Sequence, residues 1–101
     1  MTLESFLEGA SRKEAPPATM GLPLQSLWAD VSDDWENAHE LAQEASSREG
    51  DWVHAYLHRK EGDASNAAYW YQRAQRPVFT GSLDEERDKI IQELLTFEDP
   101  I

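Results

Sequence analysis

Apolar residues recur along this chain at helical spacing. Leu3, Phe6, Leu7 and Ala10 share one face of a short N-terminal helix that Thr2 is placed to cap. Pro16 and Pro17 forbid its continuation past Ala15. Residues 14–23, EAPPATMGLP, read as a linker, and Pro23 suits the first turn of a second helix with Leu24, Leu27, Trp28 and Val31 at i, i+3, i+4 and i+7. Asp33 followed by Glu36 has the form of an acidic capping box, opening a third helix to about Ser47. Ala38, Leu41, Ala42 and Ala45 share its inner face, with Trp35 and His39 beside them.

Two similar tetrads follow, Arg48-Glu49-Gly50-Asp51 and Lys60-Glu61-Gly62-Asp63. Each joins a base suited to a helix C-terminus, a glycine able to take positive φ and an aspartate able to cap the next helix. Both therefore predict tight corners, with a short helix over about 52–61 and another over about 64–75. The latter carries Ala67, Trp70, Tyr71 and Ala74 on one face and is stopped by Pro77. Ser82 and Glu85 form a regular capping box for a last helix, whose apolar face is Ile90, Ile91, Leu94, Leu95 and Phe97. Asp84, Glu85 and Glu86 in its first turn favour the helix dipole. No stretch alternates as a strand does. The expected fold is all-α, a bundle of five to six helices forming a single domain over residues 1–101.

Residues 52–74, WVHAYLHRKEGDASNAAYWYQRA, resemble a helix pair of the Sel1-like and tetratricopeptide class of repeats. The shared features are a helix, the turn Glu61-Gly62-Asp63, then Ala67, the Trp70-Tyr71 pair and Arg73-Ala74. Solenoids stack about three such units, and only one full copy is visible. The resemblance thus implies an αα-hairpin within a bundle too short for a solenoid, and a role in protein interaction.

Composition narrows the function classes. There is no cysteine, which excludes disulfides, thiolate nucleophiles and cysteine-ligated zinc. No run approaches the ~20 apolar residues of a membrane span, and Glu4 and Glu8 interrupt the N-terminal segment where a secretory signal would be unbroken. A cytoplasmic protein with no membrane partner is expected. The net charge of −11 disfavours nucleic acid, whose phosphates call for clustered Lys and Arg. The charge is uneven: Asp30 to Asp51 holds eight acids and Asp84 to Asp99 seven, whereas Arg59, Lys60, Arg73 and Arg76 make the middle mildly basic. Either these segments neutralise one another by packing, or the middle offers a face to a small anionic ligand. The acidity alone also admits a decoy-like partner for a basic protein.

His54 and His58, at i and i+4, share a helix face and suit a metal ion, with Glu61 and Asp63 near. Ala55 stands where the zincin motif has glutamate. A wider polar-aromatic set, His54, His58, Arg59, Glu61, Asn66, Tyr69, Trp70, Tyr71 and Arg73, would be gathered by a hairpin. It reads either as a binding pocket with an Arg-His rim or as a buried network that docks two helices. His39 reads as a packed histidine, and Asp33, Asp34 and Glu36 are explained by helix capping. No phosphate loop, nucleophile elbow or kinase signature is present. The expectation is a non-enzymatic module, needing no cofactor, that binds a protein or small anionic ligand through residues 52–74. The alternative is a small metal-dependent hydrolase using His54 and His58. Helical faces this aromatic are also compatible with a homodimer.

Overall fold

Thr2 caps the chain's first helix. Its hydroxyl accepts from the Ser5 N–H, and the Ser5 hydroxyl accepts from the Thr2 N–H, a capping box ahead of α1, Leu3–Ser11. The computed structural model describes residues 1–98; Asp99, the last acid of the C-terminal acidic stretch, lies outside the described residues with Pro100 and Ile101. The remaining helices are α2, Leu22–Val31; α3, Trp35–Glu44; α4, Arg48–Lys60; α5, Ala64–Ala74; and α6, Leu83–Glu98. Ser82 and Glu85 exchange the expected capping-box bonds at the start of α6. Among the described residues there is no strand, and no helix is long and apolar enough to cross a membrane. The described residues form an all-α architecture, a small bundle of six helices.

α4 occupies its centre. Every residue from Trp52 to His58 is buried, so this helix has no solvent face over nearly two turns. α2, α3, α5 and α6 pack around it, and α1 packs on α2 and α6. A helix enclosed on all sides is ordinarily apolar on all sides, yet α4 carries polar groups that must find partners. Tyr56 donates its hydroxyl to buried Asp30 of α2 at 2.7 Å, and Lys60 reaches the other Asp30 oxygen at 2.7 Å. Trp52 donates its indole N–H to buried Glu86 of α6 at 3.2 Å, and Arg59 pairs with Glu86 at 2.9 Å. His54 and His58 face neither carboxylate. The linker is pinned from the other side, where the Trp28 indole donates to the Glu14 carbonyl at 2.8 Å and meets Phe6 edge-on.

The first glycine corner lies elsewhere than predicted. α3 ends at Glu44, Ser46 takes the positive φ of 45°, and Ser47 caps α4 by accepting from the Gly50 N–H at 3.0 Å. The turn is therefore residues 45–47, and Gly50 lies inside α4. Glycine is needed there for proximity, not for positive φ: a Cβ at position 50 would stand 2.5 Å from the Ala45 Cβ and 3.2 Å from the Ala42 carbonyl oxygen. Asp51 accordingly caps nothing and lies 3.6 Å from the Arg73 guanidinium. The second corner is as expected, with Gly62 at φ +86° and Asp63 capping α5 through the Asn66 N–H. One position is likewise displaced at α3. Asp33 takes φ +67° and terminates α2, which aspartate tolerates better than most residues, and Asp34 is the cap, accepting from the Asn37 N–H.

Candidate functional site

The turn at 45–47 folds α3 back along α4, and Gly62 does the same for α5. His39 of α3 is thereby delivered to His54 and His58 of α4. One ring nitrogen from each of the three histidines lies within 4.8 Å of the others. The His39 and His54 Nε2 atoms are 2.9 Å apart, so one donates and the other accepts. The His54 and His58 rings are stacked at 4.8 Å, as i, i+4 neighbours on one helix face. Two tryptophans hold the group from outside: Trp70 of α5 stacks on His54 at 3.8 Å, and Trp35 stacks on His39 at 4.9 Å. The Trp35 indole N–H donates to the Leu57 carbonyl, which fixes its ring against α4.

His58 has a dedicated orienting partner. Its Nδ1 lies 2.6 Å from a Glu61 carboxylate oxygen, so Nδ1 carries the donated proton, because a carboxylate only accepts. Asp63 joins His58 and Glu61 in a second grouping of ligand-type atoms. Its cap bond from Asn66 holds the Asp63 carboxyl below its ordinary range. His54 is 2 % exposed, and its Nδ1 is buried without a hydrogen-bond partner. Burial pushes its pKa down to about 4, with the neighbouring His39, His58 and Arg73 acting in the same direction. Burial and His58 also lower the pKa of His39, against the pull of Glu61 and Glu40. Burial thus favours the neutral form of His39 and His54, the state in which histidine coordinates metals or accepts hydrogen bonds.

The polar-aromatic set divides. His54, His58, Glu61 and Trp70 are in the centre, and Asn66 supports it by closing the Asp63 cap. Arg73 and exposed Tyr69 form its outer rim: the guanidinium lies 5.0 Å over the Trp70 ring and donates to the Tyr69 hydroxyl. Arg59 and Tyr71 belong elsewhere. Arg59 pairs with Glu86 and also donates to the Gly81 carbonyl, and Tyr71, 1 % exposed, gives its hydroxyl to Glu86. Burial and that carboxylate raise the Tyr71 pKa, and burial with Asp30 raises that of Tyr56.

His39 is the residue that sequence reasoning passed over, having read it as a packed histidine. Trp35 and His39 repeat on α3 the i, i+4 aromatic pairing that His54 and His58 make on α4, and that repetition was the available signal. Compared with family models, curated proteins and solved structures, the chain finds no match in any of the three.

Proposed function

We propose that this protein is a small ligand-binding helical module whose binding element is the histidine centre at the junction of α3, α4 and α5. The observation that supports this reading is three imidazoles converging beside a buried, partnerless His54 Nδ1. Packing gives no reason for that choice. Leucine would fill the space without an orphaned nitrogen, whereas an unpaired buried polar group costs about 1–3 kcal/mol. Groups that cost stability in the free protein are characteristic of binding sites. The rim of Tyr69, Trp70 and Arg73 gives the module an outward face of the kind protein partners and anionic ligands favour.

Replacing His54 with leucine tests this. If the histidines are kept for binding, His54→Leu holds or raises the melting temperature, by about 4–8 °C for each kcal/mol gained at this size. A structural role for the cluster demands the reverse, a loss of several degrees, and that result removes the reading. The closeness of Glu61 and Asp63 to His58 supports a second reading, a metal-dependent hydrolase at the same place. Turnover of an activated ester by metal-loaded protein, lost in His54→Leu, distinguishes it from a pure binder.

A further inference from the structure

Resting on that reading, we infer that the ligand of the centre is a single first-row transition-metal ion held by His39, His54 and His58. Three features of the geometry favour an ion over an organic ligand. The donor atoms gather in one place: all lie within 4.8 Å of each other, so closing by at most about 1.4 Å brings any pair to the spacing of ligands on one zinc ion. Tetrahedral zinc with nitrogen bonds of about 2.0–2.1 Å separates its ligands by roughly 3.4 Å. The His39 and His54 Nε2 atoms, now 2.9 Å apart, need to part only slightly to accept it.

The rings are also held for the task. Glu61 on the His58 Nδ1 is the carboxylate–histidine pairing that fixes a metal ligand's tautomer and leaves Nε2 as the coordinating atom. The flat stacking of Trp70 on His54 and Trp35 on His39 limits ring rotation, so binding sacrifices little side-chain freedom. Finally, the donors are all imidazole nitrogens. That set suits zinc, cobalt, nickel or copper, whereas calcium and magnesium call for oxygen. His58 also belongs to the grouping with Glu61 and Asp63, but Glu61 is already committed to Nδ1. It therefore acts as a positioning residue, with three histidines as ligands and the fourth position left for water or a bound group.

The test uses the full chain, made without a histidine tag and stripped with chelator. Cobalt(II) is titrated while the visible ligand-field bands are followed, and zinc is then used to displace it. The expected result is saturation at one ion per chain, bands of low-symmetry tetrahedral cobalt, and displacement by zinc. His39→Ala and His54→Leu should abolish the bands. Glu61→Gln, at a partly exposed position that leaves the core untouched, should weaken binding about 10–100-fold and alter band positions while the metal-free melting temperature holds.

Absence of a saturable band, or bands that survive both histidine substitutions, overturns the inference, the latter because surface carboxylates then hold the ion. The two proposals fail separately. If His54→Leu keeps its melting temperature and no ion binds, the centre remains a binding element and the metal is wrong. If His54→Leu unfolds, the binding reading itself is lost.

Discussion

Tyr71 of α5 and Glu86 of α6 meet inside the protein, the phenol hydroxyl donating to a carboxylate with no solvent exposure. Trp52 donates to the same oxygen, and Arg59 neutralises the other. Three helices are thus tied by one acidic side chain that stands, in sequence, in the first turn of α6. A glutamate there has an adequate explanation in the helix dipole, so nothing in the sequence marks it as the buried residue that it is.

Removing Arg59 leaves the Glu86 charge buried and uncompensated. Arg59→Leu should cost about 3–5 kcal/mol in urea unfolding, and Arg59→Leu with Glu86→Leu much less than the two single losses summed. Additive losses would show that the pair does not act as a unit.

The two glycines of the echoed tetrads should respond for different reasons. Gly50→Ala drives a methyl group into Ala45 and the Ala42 carbonyl, an overpacking that costs about 1–3 kcal/mol. Gly62→Ala meets nothing within 4 Å and costs only the left-handed strain, about 1–2 kcal/mol. Asparagine at 62 should recover part of that loss, whereas at 50 it should be worse than alanine. Denaturation midpoints of the four variants decide the matter, and equal behaviour at the two positions would refute the assignment.

His54 makes stability depend on pH. Its folded pKa of about 4 lies below the unfolded 6.5, so the unfolded chain binds the proton first. Stability from this residue is complete above pH 6.5 and is lost as pH falls from 6.5 towards 4, by about 3 kcal/mol in all. His39, His58 and Arg73 face it and act with burial. Urea midpoints taken across that range should fall in the natural protein and fall less in His54→Leu; parallel curves would exclude His54 as the source.

Trp70 is half-buried and covers the His54 ring. Trp70→Ala should leave the protein folded at a cost of about 1–2 kcal/mol, below the ~3–5 kcal/mol of a fully buried tryptophan. Wetting His54 should also move its pKa up towards 6.5, visible in the pH titration of its ring proton resonances. An unchanged His54 titration would mean that Trp70 does not shield it.

The all-helical fold was legible from spacing and caps, and Thr2, Asp63 and Ser82 are read correctly because each cap is a local event. The site was half legible, and the reason is geometric. Two antiparallel helices joined by a short turn bring residues equidistant from that turn to one level. His54 and Trp70 each lie eight residues from Gly62, and they stack. His39 lies seven residues before Ser46 and His54 seven after Ser47, and they hydrogen-bond. With the corner placed at Gly50, reflection of His54 falls on Ser46 and that of His39 on Glu61, so the two histidines are not paired. The error arose because glycine signals both positive φ and close approach, and only the three-dimensional neighbours of Gly50 distinguish the two. Arg59 and Tyr71 were grouped with the histidines because their destination, Glu86, is supplied by a helix distant in sequence.

The enclosure of α4 has a kinetic consequence. Because Trp52 to His58 turn no side to water, exchange of solvent with the buried His54 Nδ1 needs α3 or α5 to lift away, a local opening with its own free energy and rate. Capture would then be paced by helix breathing instead of diffusion, and release would wait on the same clock. An ion bound there would stay for longer than its affinity alone would suggest.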